Sequence, residues 1–151
     1  MGVRRSLPMV ALAACLALPA SSRADVFTLG DFYEEKAATS CASEFSCRLN
    51  FSKTPGGRLL TVRRVACYME RSTPLRILVL GVADQQGGLT SRSVPLPFAA
   101  NLTGNGTYYY SVNQEVQYLM RPNRFPFVTA EVSTASGGLM SCTITGTLED
   151  R

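Results

Sequence analysis

The 151-residue chain has no histidine and no tryptophan. Without histidine it lacks the commonest general base near neutral pH, any Ser-His-Asp or Cys-His arrangement, and the commonest zinc ligand. An enzyme is therefore disfavoured. Helix signals are scarce: the one helical candidate is "GDFYEEKAATS", Gly30 to Ser40, where Phe32, Lys36 and Ala37 fall at helical spacing. No internal repeat, low-complexity tract or interdomain linker is present. No apolar run reaches the roughly 20 residues of a comfortable membrane-spanning helix.

The longest apolar stretch lies at the N-terminus. "MGVRRS" is a short basic region, "LPMVALAACLALPA" is apolar, and "SSRAD" offers small residues for cleavage. This pattern reads as a secretory signal peptide over residues 1–24, with Ser22 and Ala24 at the two small-residue positions. Cleavage after Ala24 removes 24 of 151 residues and leaves a single domain of 127, residues 25–151. A competing reading takes "LAAC", Leu12 to Cys15, as a lipobox ending in a lipidated Cys15. Against it, "LALPA" continues the apolar run past the cysteine.

A strong charge is also missing. The whole chain carries +4, but Arg4, Arg5 and Arg23 leave with the signal peptide, so twelve basic residues face eleven acids and the net charge becomes +1. A domain so nearly neutral gives no electrostatic footprint for nucleic acid or an anionic membrane.

Four cysteines remain beyond the signal, Cys41, Cys47, Cys67 and Cys142, an even number that fits two disulfides in an oxidising compartment. A metal site is a poor alternative, because the intervening five, nineteen and seventy-four residues do not form paired C-x-x-C knuckles. Three connectivities are open. Cys41–Cys47 with Cys67–Cys142 is preferred, since Cys67 and Cys142 both fall in the inward register of strands. In the rival, a hairpin centred on Gly56 and Gly57 joins Cys47 to Cys67 and leaves Cys41 to reach Cys142.

The dominant period is two, the signature of half-buried strands. "EFSCRLNF" sets Phe45, Cys47, Leu49 and Phe51 on one face. After the turn "TPGG", Leu60 and Val62 share a face, but beyond Arg63 and Arg64 the apolar set resumes at Val65, Cys67 and Met69. A one-residue slip sends every side chain to the other face, so the halves share a core only if one residue bulges out near the arginine pair. "LRILVLGVAD" is apolar on both faces and reads as a central strand. "SVPLPF", with Pro95 and Pro97, reads as an edge. "TYYYSVNQEVQYLM" alternates with its even-numbered residues inward and Tyr109 outward. "FVTAEV" buries Val128, Ala130 and Val132, and "GLMSCTITGTLE" buries Met140, Cys142, Ile144 and Leu148. Seven strands separated by Gly, Pro and Asn turns predict an all-β fold, a single antiparallel β-sandwich of jelly-roll or Ig-like type.

Pro55, Gly57, Leu60, Val62, Val65 and Cys67 fit a P-x-G-x-x-L-x-[IV]-x-x-V-x-C pattern, and Cys142, Ile144 and Gly146 a late C-x-I-x-G. In these two segments the chain resembles a group of small, uncharacterised exported β-sandwich proteins of alphaproteobacteria. The resemblance implies a fold and an exported address, and no catalytic residue.

Function is read from what remains. Asp31, Glu34, Glu35, Glu44, Glu70, Asp84, Glu115 and Glu131 are the acids available for a glycosidase-type carboxylate pair. Most fall on expected solvent faces or loops, the ordinary place for acids. For binding, the features are Tyr109, the loop "NLTGNG" with Asn105, and Arg63 with Arg64: a tyrosine can stack on a sugar face, and arginines can grip carboxylated glycans or lipid phosphates. Each has a plainer reading as a surface aromatic, a turn residue or a solvated cation. The sequons at Asn50, Asn101 and Asn105 matter only in a glycosylating host, and Asn101 and Asn105 read as turn residues. The expectation is a non-catalytic exported module binding glycan or another envelope component. An envelope interaction domain is the alternative and a hydrolase a distant third, with no cofactor, metal or nucleic-acid partner.

Overall fold

The computed structural model describes residues 24–103 and 105–150. The lipobox segment and the signal-peptide segment up to residue 23 lie outside these residues. Eight strands run β1 (Ala24–Leu29), β2 (Phe32–Asn50), β3 (Arg58–Arg71), β4 (Leu75–Ala83), β5 (Thr90–Pro95), β6 (Ala99–Leu102), β7 (Tyr108–Met120) and β8 (Phe125–Asp150). No helix occurs among the described residues. Gly30–Ser40, the helical candidate, is instead a turn and the first half of β2. It alternates Tyr33, Glu35, Ala37 and Cys41 inward with Phe32, Lys36 and Ala38 exposed. The strand is hard to see in sequence because its inward set includes a carboxylate and a lone methyl.

All pairings are antiparallel and form one open sheet in the order β1-β2-β8-β3-β7-β6, with β4 and β5 branching from β8. The branch makes the fold sandwich-like. The C-terminal half of β8, Gly138–Asp150, pairs with β3, whereas Phe125–Val132 pairs with β4. β2 follows β8 through both halves. The two long strands bend from one layer into the other, and one apolar cluster fills the space between, from Val65 and Ile144 to Leu78 and Leu80. "FVTAEV" and "GLMSCTITGTLE", expected as separate strands, are thus the two ends of one 26-residue strand. The intervening Ser133–Gly138 has turn-like composition but forms the corner.

The corner is where register breaks. Cys41 faces Gly138 and Ser46 faces Glu131, with shifts on either side of Glu44. Cys41 and Cys47 are bridged across this break, Cα atoms 5.3 Å apart. Phe45, expected inward, is carried out by the irregularity and is 63% exposed. The second disulfide, Cys67–Cys142, joins directly opposed residues of β3 and β8, Cα atoms 4.1 Å apart. The preferred connectivity is therefore present, although this bridge runs between neighbours within one layer and not across the core.

The arginine pair does mark a bulge. Arg63 has no partner position on either neighbouring strand, Val62 and Val65 are both fully buried, and Arg63 and Arg64 are exposed. β4 lies between β5 and β8 as its composition predicts, but it is covered on both faces only over Leu80–Ala83, since Arg76 and Ile77 are exposed. On the outer side the Phe127 ring fills the space above Gly81, where a Cβ would sit 2.3 Å from a ring carbon. The Arg48 guanidinium roofs that ring, 3.5 Å from its centroid, and is itself held by Asn50 and the Gly88 carbonyl. β5 is an edge, paired only with β4, and the chain beyond it buries Leu96.

Candidate functional site

Strand register decides which side chains share the outer face of the larger layer. Glu70 pairs with Tyr109 and Tyr68 with Ser111, so Tyr68 and Tyr109 are diagonal neighbours on β3 and β7. Their rings stack with centroids 5.9 Å apart and planes inclined by 28°. Tyr68 is 49% exposed. Burial and the neighbouring Tyr109 and Glu70 push its phenol pKa upward, which keeps the hydroxyl protonated as a donor.

The surface around the pair is flat and made of small groups. Along β8 the outward residues are Ser141, Thr143, Thr145 and Thr147, flanked by Ala38 on β2 and Ala66 on β3. Leu139 stands beside Glu70 and is exposed. Asn101 on β6 lies opposite Tyr109. Stacked phenols, an aliphatic neighbour, a carboxylate and a carboxamide on a low surface combine π-faces with hydrogen-bonding groups.

The four residues singled out from sequence do not converge. Tyr109 belongs to the pair just described. Arg64 shares its face but lies six residues along β3 from Glu70, roughly 20 Å away. Arg64 is opposite Glu115, and its Nε donates to Asn113 Oδ1 at 2.6 Å. Arg63 is exposed at the bulge beside it. Asn105 sits in the β6–β7 loop, where its Oδ1 accepts from the Thr107 backbone N–H at 3.1 Å and from the Thr103 hydroxyl. Its oxygen thus closes the turn. Asn101, expected as a turn residue, lies in β6.

Tyr68 is the residue that sequence reasoning passed over. Its outward parity after the bulge was available, but its proximity to Tyr109 depends on the β3–β7 register.

The acids are dispersed. Asp31 pairs with Arg58, Asp84 with Arg124, and no two of the eight candidates face each other in strand register. Glu35, expected near solvent, is fully buried, accepting from the Tyr33 hydroxyl at 2.5 Å and the Ser52 N–H at 2.6 Å. Cys41, Cys47, Cys67 and Cys142 are all spent in disulfides, and no group of three or more His, Cys, Asp or Glu that would hold a metal occurs among the described residues. No helix among them is long and apolar enough to cross a membrane. The two disulfides fit an oxidising environment. No family model, curated protein or solved structure matches this chain.

Proposed function

We propose that the chain is an exported, non-catalytic binding module, periplasmic or secreted, whose outer face takes a glycan or related envelope component. The observation that carries this reading is the stack of exposed Tyr68 on half-buried Tyr109, on a flat surface of small hydroxyl-bearing residues. Stacked aromatic planes suit the apolar faces of pyranose rings, and Glu70 and Asn101 beside them supply an acceptor and a donor for ring hydroxyls. The signal-like N-terminus, the two disulfides and the resemblance to exported alphaproteobacterial proteins support the address.

The test is retention of the mature protein on isolated cell-envelope polysaccharide. Wild type is expected to bind, and Tyr68→Ala/Tyr109→Ala to lose binding while keeping its thermal midpoint. Equal retention of the two proteins defeats the reading.

A second reading, an envelope protein-interaction domain, is favoured by one observation. β1 is an edge strand, exposed at every residue, and Phe27 and Leu29 share a face with exposed Phe32. An unpaired apolar edge can accept a strand from another chain. Envelope defects with intact glycan binding in a Phe27→Lys/Leu29→Lys variant would support it.

A further inference from the structure

Where β5 approaches the end of β7, an open cleft of about 380 Å³ lies between the two layers. Val82 and Leu119 give it apolar walls, and Arg92, Arg121, Arg124 and Asp84 give it charge. This volume is within the range of small-molecule sites.

Three guanidiniums converge here against one carboxylate, in a domain that carries only +1 beyond residue 24. Arg92 and Arg124 are held by contacts that leave donors free, since a guanidinium has five N–H groups. Arg92 donates from Nη2 to the Leu119 carbonyl and lies 5.2 Å from the Tyr118 ring centroid. Arg124 is fixed by its pair with Asp84. Arg121 makes no ion pair among the described residues. The Ser91 hydroxyl, also at the cleft, is committed to the Val82 carbonyl at 2.9 Å.

With Arg124 neutralised by Asp84, Arg92 and Arg121 leave two positive charges uncompensated. A phosphate monoester carries about −1.5 to −2 at neutral pH and offers three acceptor oxygens, whereas a carboxylate supplies one charge and two oxygens. Arginine forks suit such oxyanions. We infer that this cleft is a phosphate-monoester site, with Arg92 and Arg121 gripping the phosphate and Val82 and Leu119 contacting the attached body. It is separate from the tyrosine pair, because Leu119 lies ten residues along β7 from Tyr109, roughly 33 Å. The phosphate belongs either to a soluble phosphoester or to a lipid headgroup.

The test is calorimetric titration of the protein with phenyl phosphate and, in parallel, benzoate, together with sedimentation on phosphatidylcholine vesicles containing phosphatidic acid. Phenyl phosphate is expected to bind more tightly than benzoate and to weaken as salt rises. Arg92→Ser/Arg121→Ser is expected to reduce its affinity roughly tenfold or more while leaving the thermal midpoint near wild type. Tyr68→Ala/Tyr109→Ala should leave it unchanged. Vesicle retention lost in the arginine variant assigns a lipid headgroup, and a response to the soluble probe alone assigns a soluble phosphoester. Absence of saturable phenyl phosphate binding, or equal affinity in wild type and Arg92→Ser/Arg121→Ser, overturns the site.

Discussion

Between Val62 and Val65 the β3 backbone takes three steps while β8 takes two, from Gly146 to Ile144, and β7 takes four, from Tyr118 to Gln114. β7 and β8 therefore keep their parity while β3 changes face, and valines three residues apart both reach the core. Gly146 makes the close approach possible: a Cβ there would lie 2.2 Å from the Thr61 carbonyl oxygen. Thus the V-x-x-V spacing in β3 and the glycine of C-x-I-x-G are two halves of one structural device. Val62→Asp and Val65→Asp are each expected to cost several kcal/mol by burying an unpaired charge, and Gly146→Ala about 1–3 kcal/mol by overpacking. Arg63→Ser should stay within about 0.5–1 kcal/mol, since its side chain is exposed. Urea denaturation at neutral pH measures all four, and tolerance of aspartate at either valine would contradict the bulge.

At the scale of strands, the bulge was legible because a broken alternation is a strong local signal, whereas the joining of two apparent strands into β8 was not. Ser133–Gly138 has the composition of a turn, and only pairing with β2 shows that it is a bent part of one strand. β1 and β6 were missed for a related reason, being short, exposed and without an inward apolar set. The candidate surfaces follow the same rule: Tyr109 announces itself in "YYY", but its partner Tyr68 and the arginine cleft are assembled from distant segments. The disulfides staple different levels of this architecture. Cys41–Cys47 spans six residues and pins the corner of β2, while Cys67–Cys142 spans 75 and locks β3 to β8. On loop-closure entropy, replacing the first pair with alanine should cost about 2 kcal/mol and the second about 4 kcal/mol. Non-reducing peptide mapping is expected to recover the two linked pairs, and calorimetry of the double-alanine variants to rank them in that order. A linked Cys47 and Cys67 fragment would refute the connectivity.

Over the whole molecule, the phenols couple the core to pH. Burial raises the pKa of Tyr33, Tyr110 and Tyr118; for Tyr33 the hydrogen bond to buried Glu35 and the repulsion of its carboxylate add to the effect. The Tyr110 hydroxyl accepts from the Leu75 N–H at 2.8 Å, which lowers its pKa in part without cancelling the rise. In the unfolded chain all three phenols ionise near pH 10. Because the folded values are raised, the native state holds protons that the unfolded state has released, and stability must fall as pH rises above about 10. Below that pH the contribution is fully present. A spectrophotometric titration is expected to show Tyr33, Tyr110 and Tyr118 ionising late and together with loss of structure. Tyr33→Phe separates the causes. It removes one ionisation from the alkaline limb and should flatten it, but it also takes the hydroxyl donor from Glu35, so at neutral pH it should lower stability by about 1.5–3 kcal/mol. A variant that loses neutral stability without flattening the alkaline limb would show that Tyr33 ionises in the native state and does not contribute to the coupling.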